Sequence, residues 1–229
     1  MNKKPGFFFI FLVLAVAAFS QTTNYTVGLT TDNTGVVITG FTGNASTITI
    51  PERLEGLPVK VIGRGAFSNQ SNITTVTIPR SVTVIEDEAF KGTRTLATVR
   101  FPDTLQKIGA NAFESTGLTS VTIPNSCIDI GEGAFFNCAR LRTVTLPPDL
   151  QVIRAIMFMG CQAMTRVNLP ANIKRIESQA FADCRVLSNV SVPASVTSIE
   201  FASDVFIGCP AINLGGQVAL KNLGYGGDF

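Results

Sequence analysis

Five cysteines, sixteen carboxylates and no histidine define the chemistry this 229-residue chain could attempt. Without histidine there is no Ser-His-Asp relay, no imidazole-ligated metal and no side chain whose ordinary pKa lies near neutrality. Cys138, Cys161, Cys184 and Cys209 follow one another at intervals of 23, 23 and 25 residues, and no Cys-x-x-Cys pair occurs. That spacing makes no zinc site. It leaves either disulfides between neighbouring segments or small buried thiols copied with a repeat, and the regular interval favours the thiols. Glu86, Asp87 and Glu88 crowd three acids together, but paired catalytic acids need a cleft between them. No P-loop, dinucleotide fingerprint or nucleophile elbow accompanies them. No catalytic residue, metal ligand or cofactor is assigned, and the chain is not expected to be an enzyme.

The intervals between these residues belong to a longer repeat. Prolines stand at positions 51, 79, 102, 124, 147, 170 and 193, spaced by 28, 23, 22, 23, 23 and 23 residues. Short alternating runs precede them, such as Val76-Thr-Ile78, Val121-Thr-Ile123 and Val144-Thr-Leu146. Two further apolar positions follow each proline (Val82 and Ile85, Ile173 and Ile176), and five residues on comes a phenylalanine. These are Phe67, Phe90, Phe113, Phe135, Phe158 and Phe181, with Phe206 in a stretched last copy. One such unit cannot bury its apolar face alone, whereas stacked units place each apolar residue on its copy in the next coil. Proline suits the strand exit because it ends the hydrogen-bond ladder and fixes φ. The expected fold is a solenoid with a parallel β-sheet on one face and short helical or irregular return segments.

The pattern Leu-x-x-Val-x-Ile-Pro, then Val-x-x-Ile, then Ala-Phe-x-x-Cys resembles the leucine-rich repeats of BspA-like bacterial surface proteins, over about residues 25–212. Tyr25-Thr-Val27, the turn around Asp32-Asn33-Thr34-Gly35 and Val36–Phe41 are similar to the β-hairpin that opens many such arrays. The resulting division is a leader at 1–20, a hairpin cap at 21–45, about seven coils of 22–28 residues over 46–212, and a tail or partial cap at 213–229. Gly215-Gly216 and Gly224-Tyr-Gly-Gly227 read as a flexible tail. The resemblance implies attachment to host matrix proteins, host cells or neighbouring bacteria. It fixes neither a partner nor a binding residue on this chain.

Period-two alternation turns fourteen residues outward from the sheet, from Thr47 and Thr49 to Asn189 and Ser191. Twelve are Ser, Thr or Asn, two are arginine, and none is acidic or aromatic. Threonine there serves strand formation and solubility. The functional alternative is a hydroxyl-lined concave surface, with Arg100 and Arg166 as charged anchors beside Thr98, Thr122, Thr143, Thr145 and Asn168. The partners expected are proteins or glycoconjugates on host or neighbouring cells. Asn24, Asn44, Asn72 and Asn189 stand in N-x-Ser/Thr sequons, which matter only where the source glycosylates them.

Met1-Asn-Lys-Lys, the apolar run Phe7 to Phe19 and small residues at Ala18 and Ser20 have the three-part form of a secretory signal peptide. Thirteen apolar residues rise only about 20 Å in a helix, short of a bilayer core. The expected product is therefore exported, without a transmembrane segment, and extracellular, on the cell surface or periplasmic. Removing Lys3 and Lys4 with the leader leaves 16 basic and 16 acidic residues. A nucleic-acid partner is not expected from that balance.

Overall fold

The computed structural model describes residues 24–229, and the signal-peptide reading of residues 1–20 lies outside them. The described chain opens with an antiparallel hairpin, β1 (Tyr25–Leu29) and β2 (Val36–Phe41), whose turn is tied by Asp32. The Asp32 carboxylate accepts hydrogen bonds from the Thr30 and Thr34 hydroxyls, which hold its pKa well below the usual carboxylate range. Next come β3 (Thr47–Thr49), β4 (Arg53–Leu54) and β5 (Leu57–Ile62). From there each coil gives one three-residue strand and one two-residue strand. They are β6 (Thr75–Thr77), β7 (Val84–Ile85), β8 (Thr98–Arg100), β9 (Lys107–Ile108), β10 (Ser120–Thr122) and β11 (Asp129–Ile130). The series continues with β12 (Thr143–Thr145), β13 (Val152–Ile153), β14 (Arg166–Asn168), β15 (Arg175–Ile176), β16 (Asn189–Ser191) and β17 (Glu200–Phe201).

The three-residue strands form a front face of parallel ladders, β3-β6-β8, β10-β12 and β14-β16. Their central valine or isoleucine points inward and their flanking residues outward, as a period of two requires. Proline then ends each front strand, and the N–H three residues later closes a turn onto the proline carbonyl, for example Leu105 to Pro102 at 3.2 Å. The return segments are more regular than expected. They are not helical but pair as a back sheet, with β5-β7-β9-β11 running on from the hairpin and β13-β15-β17 beyond. Equal coil lengths bring Ile62, Ile85 and Ile108 into register, and each is fully buried.

A third ladder runs through the corner that holds the phenylalanines. The Gly133, Phe135 and Asn137 N–H groups donate to Ala155, Met157 and Met159 of the next coil at 3.0, 3.0 and 2.8 Å, and other coils repeat this. Between Phe67 and Phe206 the seven rings form one column, with neighbouring centroids 4.9–5.6 Å apart and planes within 15° of parallel. Each ring is fully buried, worth roughly 1.5–3 kcal/mol by area.

Both ends of this column are covered. Phe41 lies against Phe67, with ring centroids 5.3 Å apart, and Tyr25 lies against Phe41. At the other end Gly215-Gly216 stand in the first turn of helix α1 (Leu214–Asn222), not in a loose tail; Asn213 caps it by accepting from the Gly216 N–H. Tyr225 is buried edge-on against Phe206, and Phe229 packs against both. The Tyr225 hydroxyl accepts from the Phe206 N–H at 3.3 Å, supplying the acceptor that a further coil's carbonyl would provide, and donates to the Asp228 carbonyl at 2.6 Å.

Candidate binding surface

Of the residues singled out on the front face, Arg100, Arg166, Thr98, Thr122, Thr145 and Asn168 are exposed and Thr143 is half-buried. The register does not bring the two arginines together. Arg100 closes β8 and Arg166 opens β14, so they occupy different columns three strand steps apart, about 14 Å along the array. Thr98, Arg100 and Thr122 do share one shallow groove, floored by Val99 and Phe101. Phe101 is in the inward register yet half-buried, because its ring is larger than its isoleucine and leucine counterparts and rests edge-on against Phe113, 5.6 Å away. It places an aromatic edge beside Arg100 that the alternation pattern does not reveal.

That groove coincides with an irregularity in coil length. Two residues separate Cys138 from Leu141, but only one separates Thr116 from Leu118. Gly117 fills the shortened bend, where an added Cβ would lie 2.3 Å from the Arg94 carbonyl oxygen. At this coil β10 is not paired with β8, and the Thr119 N–H reaches the Ala97 carbonyl only at 3.4 Å; the full-length coil between β12 and β14 shows the same break, with Thr165 N–H to Arg142 also at 3.4 Å. At the bend a notch of about 400 Å³ opens, bordered by Arg94, Arg140, Asn137 and Ser115.

The charge distribution around this face is strongly uneven. The segments from four residues past each ladder phenylalanine to the residue before the next proline cover 71–78, 94–101, 117–123, 139–146, 162–169 and 185–192. They contain Arg94, Arg100, Arg140, Arg142, Arg166 and Arg185, no lysine, and no acid. All six arginines are exposed. Among the described residues, Arg185 alone of the six meets a carboxylate, Asp183 at 3.8 Å. The balanced total charge conceals this; aligning the repeats column by column would have exposed it.

The acids have structural work elsewhere. Glu86 accepts from the Arg64 N–H at 2.9 Å, Asp87 from the Ala110 N–H at 2.8 Å, and Glu88 pairs with Arg64 and Lys91. Glu177 does the same for the Ala155 N–H. These carboxylates join coil to coil, and Asp87 and Glu177 border a shallow surface hollow whose lining also holds Lys107 and Arg154. Among the described residues no group of three or more Cys, Asp or Glu side chains could hold a metal ion.

The cysteine column is structural too. All five cysteines are buried free thiols. The position three past each phenylalanine holds Gln70, Thr93, Thr116 and then Cys138, Cys161, Cys184 and Cys209. Gln70 donates to the Phe41 carbonyl, Thr93 to Phe67, Cys138 to Phe113, Cys161 to Phe135, Cys184 to Phe158 and Cys209 to Phe181. A compact donor is needed there because the carbonyl faces the interior. Thr116 bends back to its own Phe113 carbonyl and touches the Cys138 sulfur. Burial pushes the Cys138 thiol up to about 11 and Cys127 up to about 12. Cys161 is also raised by burial, and Cys184 by hydrogen bonding with Cys209 and by burial.

This geometry matches a known repeat. The model of the BspA type leucine-rich repeat region, six copies long, matches residues 60–185 and again 106–216. The chain belongs to the BspA-type leucine-rich-repeat family. It is similar to the crystal structure of a leucine-rich repeat protein from T. pallidum, at 30% identity and a TM-score of 0.86, covering 90% of this chain and 96% of that one. A leucine-rich repeat protein from Bacteroides ovatus is 26% identical with a TM-score of 0.57, covering 78% of this chain and 54% of the other. The pneumococcal vaccine antigen PcpA shares the fold, at 23% identity and a TM-score of 0.61, covering 76% and 49% of the two chains. No functionally curated protein matches. BspA-type solenoids are generally non-enzymatic scaffolds whose repeat surfaces suit protein interaction. Among the described residues no helix is long and apolar enough to cross a membrane.

Proposed function

We propose that this BspA-type protein is exported and mediates attachment at the bacterial surface, binding macromolecules of host or neighbouring cells through its front face. One observation carries the reading: the outward residues of the front strands are Thr, Ser, Asn and Arg coil after coil with no acid among them, and Asp103, the carboxylate at the edge of the Arg100 groove, is paired with Arg80. The leader-like sequence of residues 1–20 supports export. Contact is assigned to Arg100 and Arg166, with Thr98, Thr122, Thr143, Thr145 and Asn168 around them. The rival reading is a periplasmic or envelope scaffold, which would self-assemble through an open sheet end at the last coil. Helix α1 and Tyr225 occupy that end, so no observation now favours it.

Two measurements test the reading together. Protease applied to intact cells should remove the protein. Labelled protein should also bind host cells or extracellular matrix, and Arg100→Thr/Arg166→Thr should cut that binding at least fivefold with an unchanged melting profile. Protection from protease in intact cells, or full binding by the double variant, would overturn it.

A further inference from the structure

The six arginines of the front strands and of the bends that lead into them, Arg100 and Arg166 on the strands and the other four on the bends, specify a chemical class of partner, and the inference rests on the front face being the binding surface. We propose that the partner is a linear acidic polysaccharide lying along the array, with one of its anionic groups seated in the notch between Arg94 and Arg140. Four observations converge on this class.

First, the basic residues here are all arginine, whose planar fork pairs two-pronged with carboxylate and sulfate, whereas the five lysines other than Lys3 and Lys4 all lie outside these segments. Second, the arginines are spread from the coil of Arg94 to that of Arg185, four coil steps or about 19 Å, instead of clustered for a compact anion. Third, the residues between them are Thr, Ser and Asn, whose hydroxyl and amide groups match the hydroxyls of a sugar chain. Fourth, other polyanions lack what they need. Phe101 offers only a half-buried ring, so bases have no stacking platform. An acidic peptide gains little main-chain bonding where the strand ladders already pair with one another. The notch adds a local seat. The missing residue beside Gly117 recesses one coil between two that each present an arginine, about 10 Å apart by strand spacing.

The probe is immobilised heparin, read against the purified protein. Dextran, poly-glutamate and a single-stranded oligonucleotide serve as competitors. The protein should bind heparin at low salt and be released as salt screens the contact. Arg94→Ser/Arg100→Thr/Arg140→Thr/Arg166→Thr, each residue typical of the repeat, should weaken binding at least tenfold. Removing equal charge elsewhere, with Arg64→Gln/Lys107→Gln/Arg154→Gln/Lys174→Gln, should change it less than twofold. Melting curves establish that both variants fold. Absence of heparin binding, equal loss in the two variants, or displacement by poly-glutamate or oligonucleotide at lower concentration than by free heparin would each overturn the proposal. If the front variant loses cell attachment although the parent protein ignores heparin, the polysaccharide is refuted and the front face stands with a different partner.

Discussion

The residue two past each ladder phenylalanine shows how a repeat constrains single positions. Asn69, Gly92, Ser115, Asn137, Gly160, Asp183 and Gly208 all have positive φ. Glycine follows where the preceding coil's side chain bends over it: an added Cβ on Gly160 would sit 2.5 Å from Asn137 Oδ1. Gly160→Ala therefore meets both backbone strain and a clash, and should cost about 2 kcal/mol or more in chemical denaturation. Asn137→Ser in the same chain should recover part of that loss, because the two positions touch. A second residue-scale prediction concerns the thiols. All five are fully buried, so a thiol reagent should find none in the native protein and five after denaturation. Cys127, Cys138, Cys161 and Cys184 ionise above the unfolded value near 8.5, so their contribution to stability is present below that pH and lost as pH rises toward 11, whereas the hydrogen bond with Cys184 lowers Cys209. A denatured count below five would mean that sulfurs had paired.

At the scale of elements, what could be read depended on how often each feature is copied. The phenylalanine column and front strands were legible because the same spacing recurs through the chain, and the rings do stack in sequence order. The back sheet was not. Val84-Ile85 and Lys107-Ile108 are too short to show a period of two, and only stacking makes them strands. Phe101 misled for a related reason, since alternation assigns a direction but not whether a larger ring fits beneath the strand. The notch followed from a one-residue shortfall before Leu118, visible in the spacing but meaningless until neighbouring coils flank it. Of the candidate surface, the outward threonines were legible. The arginine segregation was masked by a nearly balanced total of 18 basic and 16 acidic residues, since the front-segment arginines and the carboxylates occupy different columns of the same repeat.

The molecule as a whole must stop its ladders without inviting another copy to continue them. An uncovered coil presents unpaired N–H groups and an apolar cross-section, which is a template for end-to-end association. Segment 213–229 repeats nothing, so the sequence left it as either a tail or a partial cap, yet its parts are matched to the end it closes. Leu220 and Tyr225 are buried, the Tyr225 hydroxyl accepts from the Phe206 N–H, and the Ile199 N–H donates to the Leu223 carbonyl at 3.4 Å. Burial of Leu220 and Tyr225 alone is worth about 3–6 kcal/mol. Ending the chain at Ile212 should lower stability by that order and turn a monomer into a species whose sedimentation rises with concentration. Tyr225→Phe keeps the ring and removes only the hydroxyl, so it should cost about 1 kcal/mol and remain monomeric. The pair separates two causes of association. If the truncated protein stays monomeric at high concentration, the exposed coil is not adhesive to itself; if Tyr225→Phe associates as strongly as the truncation, the unpaired Phe206 N–H and not the apolar cross-section drives contact.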